Sequence, residues 1–356
     1  MPAPKTDRAP STSVQIVRLD ELWRVGEDED GDVIFGQVSD LIVDNDGRLY
    51  VADIQARQVS VFSSAGEFLR TLGREGEGPG EFREPRGFVL LPDGLVGVVR
   101  EQPPAILRFR ASNGEFVDNL YLEADSTHPY QRLAKVGCRG KTLVALCSDV
   151  REATDGIDVT ARLLRFDQAG KFLGECDSNS AQIRFAEPVT REKFDMGWRV
   201  GLDERVFVNP GLEYRIDVRG PDCRVEQTIA PKYQRLKRTS AETDSVRAYY
   251  QRVGNIGNRE LELFEYVRDI SWFDVDHDGR LWVLSSRGRR DCPADSLGLF
   301  DVYDRHGRLD RVVDLKGERG ARDWFRMSGD RFFVVHRETM AVVAYQMPKV
   351  DARGRN

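Results

Sequence analysis

The chain has 356 residues, 40% hydrophobic and 31% charged, with a formal net charge of -6. That apolar share is enough for a large core, and the acidic balance argues against nucleic acid as a default partner. No apolar run approaches the roughly 18 residues that a membrane-spanning helix needs.

Residues 1–13, MPAPKTDRAPSTS, are polar and lack the apolar stretch of a secretion signal. They read either as the start of a cytoplasmic protein or as the spacer left after an export signal was removed. The second, extracytoplasmic reading is preferred. Residues 41–53, LIVDNDGRLYVAD, place two alternating apolar runs around Asp46-Gly47. Asp-Gly between strand patterns is a strong hairpin cue, because glycine accepts positive φ at the turn. VSVFSSAGEFLRTLG (59–73) adds two strands around Ala65-Gly66. Four antiparallel strands in a row are the content of one propeller blade. A Gly-rich stretch follows, GREGEGPGEFREPRGF at 73–88.

The series GRLYVAD, VSVFSSAGEFLRTLG and GEGPGEFREPRGF resembles the NHL repeat. The match is specific in this one unit and becomes a generic propeller pattern elsewhere. The resemblance implies an all-β fold, a six-bladed β-propeller of four-stranded antiparallel blades. The Gly-rich stretch would then be the return from one blade's outer strand to the next inner strand, docked by Phe82 and Pro85.

The frame extends along the chain. Phe35 and Phe82 each lie 11 residues before an Asp-Gly pair, and the two units are offset by 47 residues, a spacing in the propeller range. Blade two is expected to run to about residue 123, with Asn113-Gly114 as its outer turn. Blade three takes 139–146 and 166–175. Blade four takes 203–208 and 213–229, and blade five 274–284 and 300–315. Blade six, 329–335 and 341–347, lacks an outer strand. VRLDELWRVG (17–26) is in phase with AGEFLRTLG (65–73), so residues 14–25 are expected to supply that strand and remove free sheet edges. The propeller thus spans 14–350, between a spacer (1–13) and a tail (351–356). One segment, 231–265, interrupts it between blades four and five. Within it TSAETDSVRAYYQRV (239–253) reads as a helix, with Thr239 or Ser240 as cap and Val246, Tyr249, Tyr250 and Val253 at helical spacing. It serves either as a functional loop or as a surface elaboration.

The five cysteines, Cys138, Cys147, Cys176, Cys223 and Cys292, have no CxxC or zinc-finger spacing. Cys138 and Cys147 flank a hairpin and could face each other; buried free thiols are the preferred reading. Asp274, Asp276 and Asp278 resemble half of a calcium loop, but Ser285 stands where the bidentate Glu belongs. The equivalent Asp44–Gly47 stretch of blade one is a turn, so a hairpin is preferred and no cofactor is expected, with Ca²⁺ as the alternative. The four histidines, His128, His277, His306 and His336, form no H-E-x-x-H, and G-x-S-x-G does not occur.

Aligned on their first hairpins, the inner strands give three columns. Ser39, Arg86, Arg132, Met196, Ser271 and Arg322 form the first. Asp40, Gly87, Leu133, Gly197, Trp272 and Asp323 form the second. Leu41, Phe88, Ala134, Trp198, Phe273 and Trp324, all apolar, form the third. Three arginines in one column suit a carboxylate or phosphate. The expected ligand site at a channel mouth is therefore Arg86, Arg132 and Arg322 with Asp40 and Trp272. The competing reading is a structural network of these arginines with Asp40, Asp323 and backbone carbonyls. The functional expectation is a non-catalytic, monomeric binding propeller for a protein, a peptide or a small anionic ligand. The alternative is a calcium-dependent hydrolase or lactonase using Asp40, Asp269 and Asp323, which the arginine column opposes. RNA binding would need a continuous basic face with aromatics, and only KYQRLKR (232–238) is basic.

Overall fold

The structure is a computed structural model that describes residues 14–26, 33–189, 196–252, 260–320 and 322–347. Two short strands come first, β1 (Val14–Arg18) and β2 (Glu21–Val25). Blade one is β3 (Val38–Val43), β4 (Leu49–Asp53), β5 (Gln58–Phe62) and β6 (Phe68–Leu72). A small parallel pair follows, β7 (Arg74–Glu75) with β8 (Glu81–Phe82). Blade two is β9 (Pro85–Leu91), β10 (Leu95–Arg100), β11 (Ala105–Arg110) and β12 (Phe116–Leu120). Blade three is β13 (Arg132–Arg139), β14 (Thr142–Ala153), β15 (Gly156–Asp167) and β16 (Phe172–Arg184). Blade four is β17 (Gly197–Val200), β18 (Val206–Asn209), β19 (Ile216–Arg219) and β20 (Val225–Ile229), followed by helix α1 (Ser240–Arg252). Blade five is β21 (Ile270–Val275), β22 (Leu281–Ser285), the one-turn α2 (Ser286–Arg290), β23 (Ser296–Tyr303) and β24 (Leu309–Lys316). Blade six is β25 (Trp324–Ser328), β26 (Arg331–His336) and β27 (Ala341–Gln346). The fold is the six-bladed β-propeller that the repeat implied.

The hairpins share one turn chemistry. In blade one the Asp44 Oδ1 accepts the N–H of Asp46 and of Arg48, both at 2.9 Å, and Gly47 takes φ 80°. A side chain with a Cβ would pay a steric cost at that φ. Asp276, Asp304 and Asp167 make the same pair of bonds in their own turns, and Ser63 makes it through its hydroxyl. In these five turns the network is local, with donors and acceptor within four residues of each other.

Chain packing divides the molecule into two compact units, and each is described by itself. One comprises Val99–Leu107 and Asn119–Ser271, and the other Pro10–Val98, Arg108–Asp118 and Trp272–Asn356.

In the second unit the N-terminal segment behaves differently from the expectation. Only its second half closes blade six: β2 pairs antiparallel with β27, Arg24 opposite Val343. Its first half, β1, runs parallel to β24 with Val14 opposite Val312, so blade five gains a fifth strand. Residues 14–18 and 21–25 thereby join two successive blades. The 47-residue offset reappears in the packing. Gly26 and Gly73 both have positive φ (89° and 65°), and a Cβ on either would strike the phenyl ring nine positions on, Phe35 or Phe82. Both rings are buried, at 3% and 0% exposure. Burying a side chain of this size contributes about 1.5–3 kcal/mol. Trp282, Phe300, Phe325 and Phe332 form an aromatic core at blades five and six.

The first unit holds blades three and four. The strands of blade three run far past the expected segments, with Ala153 opposite Gly156 and Gly156 opposite Arg184 at the distal end. The pairing of β13 stops at Arg132–Ser148, so the outer part of β14 has one strand neighbour only. Helix α1 starts as expected: Thr239 Oγ1 accepts the Glu242 N–H at 3.2 Å, and the Glu242 carboxylate accepts the Thr239 N–H at 2.8 Å, a capping box. Val246 and Tyr250 pack on Val189, Leu261 and Leu263, while Tyr249 is exposed. Val253, the fourth residue of the expected stripe, lies outside the described residues, as do 1–13 and the tail.

The cysteines agree with the expectation at one pair and depart from it at another. Cys138 and Cys147 are free thiols, and a disulfide joins Cys176 of β16 to Cys223 in the turn before β20. The two lie 47 residues apart, the same offset as blades one and two.

Candidate functional site

Two buried aspartates clip inner strands together in the second unit. Asp40, on β3, accepts the Phe88 N–H at 3.2 Å, and Gly87 leaves room for its carboxylate. Asp274, on β21, accepts the Met327 N–H at 3.3 Å. Arg326 of β25 approaches Asp40 at 4.0 Å, with its Nε buried and without a hydrogen-bond partner. Burial pulls the Arg326 guanidinium down, but Asp40 and Asp274 outweigh it and hold the group firmly charged. Asp40 therefore meets an arginine, although not one of the column. Its role here is strand-to-strand connection.

The column residues themselves have separate surroundings. Arg86 is partly exposed and pairs with Glu84 at 2.5 Å. Arg132, in the first unit, reaches Glu101 at 3.5 Å. Trp272 lies among Phe300, Phe325 and Phe332, and its indole N–H donates to the Phe325 carbonyl at 2.7 Å. Packing accounts for it without a ligand. Arg322 is exposed and makes no hydrogen bond or ion pair among the described residues.

Around Asp323, the chain neighbour of Arg322, a second group gathers that the columns missed. It is built from α2, from the connection between β24 and β25, and from the turn after β26. α2 begins because Ser285 Oγ accepts the Gly288 N–H at 3.0 Å. This turn directs Arg289 inward, where its Nη2 donates to the Asp323 carbonyl at 3.0 Å and its guanidinium lies over Phe325. Arg319 donates from Nη1 to the carbonyls of Arg289 and Leu297, at 2.9 and 3.1 Å. Burial, and after it the Arg319 charge, pull the Arg289 guanidinium below its ordinary pKa.

The Asp323 side chain is almost fully buried, 1% exposed. It accepts the Gly320 N–H at 2.6 Å and the Arg337 N–H at 3.2 Å, and its Oδ2 lies 2.6 Å from His336 Nδ1. Glu318 and Glu338, the neighbours of Arg319 and Arg337 in the chain, form no ion pair with these arginines among the described residues. The result is a concentration of cationic side chains whose nearby buried carboxylate is already committed to His336 and two amides. The signals were present in the sequence as SRGRRD (286–291) and ERGARD (318–323). They belong to connections rather than inner strands, so a column drawn through the strands passes them by.

Of the acids weighed for calcium, Asp269 accepts the Tyr214 N–H and pairs with Arg235, both at 3.1 Å. Asp276 of the DxDxDG run closes its turn and accepts the Trp282 indole N–H at 2.9 Å. Among the described residues no three His, Cys, Asp or Glu side chains gather as a metal-binding group. Among them, also, no helix is long and apolar enough to cross a membrane.

No curated protein sequence matches the chain. Among solved structures it is similar to a candidate exported protein of Bacteroides fragilis, with 12% identity, a TM-score of 0.50 and coverage of 95% of this chain and 100% of that one. It is also similar to a protein of unknown function from Bacteroides thetaiotaomicron, with 10% identity, a TM-score of 0.49 and coverage of 94% and 75%. A gluconolactonase of Xanthomonas campestris gives 12% identity, a TM-score of 0.46 and coverage of 88% and 87%. At such identities the first likeness speaks to the fold alone, and the two scores below 0.5 carry no argument. A family model described as a 6-bladed beta-propeller matches residues 30–132, the stretch that holds blades one and two, and so agrees with the six sheets on the fold.

Proposed function

We propose that this chain is a binding propeller that recognises a small anionic group, a carboxylate or a phosphate, at Arg289, Arg319 and Arg322. The observation that carries the reading is Arg322, exposed and without a hydrogen bond or ion pair among the described residues, on the same connection as Arg319, whose Nη1 donates to two backbone carbonyls, and next in the chain to Asp323, whose carbonyl accepts from Arg289. Neighbouring guanidinium groups repel each other, and a bound anion offsets that repulsion through charge-assisted hydrogen bonds. Arg86 and Arg132 each have a glutamate at hand and support the reading less.

Titration with phosphate, sulfate and succinate tests it, read as heat of binding and as the unfolding midpoint. A ligand that binds only the folded chain raises the midpoint by mass action. Arg322→Ala should weaken binding about tenfold or more, since a hydrogen bond to a charged group is worth roughly 1.5–3 kcal/mol. Arg86→Ala should leave it unchanged. Binding that survives Arg322→Ala but fails in Arg86→Ala would place the anion elsewhere.

A further inference from the structure

The imidazole of His336 stands beside this cluster in the arrangement that proton transfer requires. Its Nδ1 faces the Asp323 carboxylate at 2.6 Å, and the Gly320 and Arg337 amides hold that carboxylate from its other sides. Asp323 is therefore fixed in position, and it fixes the ring and its tautomer in turn, with the proton on Nδ1. The opposite nitrogen, Nε2, has no hydrogen-bond partner among the described residues, and the side chain keeps 15% of its surface exposed. A neutral imidazole held in this way offers one basic lone pair to a water molecule. Cationic groups lie on the same connections, Arg322 next to Asp323 in the chain and Arg337 next to His336. A base beside positive charge suits reactions in which water loses a proton while negative charge builds on an oxygen.

We propose that His336, positioned by Asp323, is the general base of an esterase site, and that its substrates are carboxylic esters carrying a further negative charge. The inference rests on the anion site proposed above, which would hold that charge. His336 Nε2 takes a proton from water, and the water oxygen forms a bond to the acyl carbon. The carbonyl electrons move onto the carbonyl oxygen, next to the arginines. The adduct collapses with cleavage of the bond to the alcohol oxygen, which receives the proton from the imidazolium. Ester and water give carboxylic acid and alcohol, and nothing is oxidised or reduced.

The probe is mono-4-nitrophenyl succinate, followed by nitrophenolate release, with neutral 4-nitrophenyl acetate for contrast and inorganic phosphate as competitor. The chain should hydrolyse the anionic ester faster than the neutral one, and phosphate should inhibit competitively. His336→Ala should lower kcat by about 10²–10⁴ while phosphate still binds, and added imidazole should restore part of the rate. Asp323→Asn should lower kcat with KM little changed. Because that variant could unfold, the imidazole rescue, which leaves Asp323 intact, is the deciding measurement. Phosphate binding without hydrolysis, or hydrolysis that His336→Ala leaves intact, overturns the dyad and leaves the anion site standing. Hydrolysis with neither phosphate binding nor phosphate inhibition overturns the anion site instead, and absence of both binding and hydrolysis overturns the two together.

Discussion

At Asp276 one carboxylate serves two purposes. Oδ1 closes the turn on the N–H groups of Asp278 and Arg280, and Oδ2 takes the indole N–H of Trp282, a side chain at 0% exposure. Asp44 does the same in blade one, where the Tyr50 hydroxyl, again six residues on, donates to Oδ2 at 3.0 Å. Asp276→Ala would leave the indole donor buried and unmet, at a cost of about 1–3 kcal/mol. The thermal midpoint should fall by several degrees, and neither EDTA nor excess Ca²⁺ should move that of the unaltered chain. A midpoint that EDTA lowers and Ca²⁺ restores would assign these carboxylates to a cation. At this scale the sequence was readable wherever the chemistry is local, as in Asp44–Gly47. It was not readable for Asp323 and His336, which stand 13 residues apart and meet only because β25 and β26 pair.

Among the elements, the N-terminal segment has the largest structural consequence. β2 completes blade six, and β1 covers the outer edge of β24. Deleting residues 1–13 should leave the midpoint within a degree or two. Deleting 1–26 should expose the edges of β27 and β24 together, lower the midpoint sharply and promote aggregation, since an uncovered edge invites pairing between chains. Equal behaviour of the two truncations, by calorimetry and light scattering, would show that the closing strands are dispensable. That residues 14–25 close a blade was legible from their phase with 65–73. Their division between two blades was not, because an alternating apolar pattern is the same whichever edge it meets and whichever direction it runs. The extended strands of blade three were hidden for a related reason. Residues on their distal half are mostly half-buried or exposed, so the core pattern that marks a strand fades there. The Cys176–Cys223 disulfide was hidden as well, because it joins a residue inside the outer strand of blade three to the turn before the outer strand of blade four, positions that the repeat does not make equivalent.

Over the whole molecule, buried weak acids set a direction for stability against pH. Burial pushes the Cys138 thiol up to about 11 and raises Cys147 further. Burial also raises the phenols of Tyr50, Tyr130 and Tyr345, with the Asp44 carboxylate adding to it at Tyr50 and that of Glu21 at Tyr345. In the unfolded chain a thiol titrates near 8.5 and a phenol near 10. Below about pH 8 these groups are protonated in both states, and their contribution does not vary. Above it the unfolded chain loses protons that the folded chain keeps, so it binds fewer protons and stability falls as pH rises. The lysines point the same way, since Glu265 raises Lys237, and Asp295 with Asp314 raises Lys316. Urea midpoints measured anaerobically should therefore be flat from these groups near neutrality and decline from about pH 8.5 through 11. Replacing Cys138 and Cys147 by serine and valine should remove the earliest part of the decline and leave the tyrosine part. A profile that stays level to pH 11 in the unaltered chain would mean that these side chains reach water in solution, contrary to their burial in the blades.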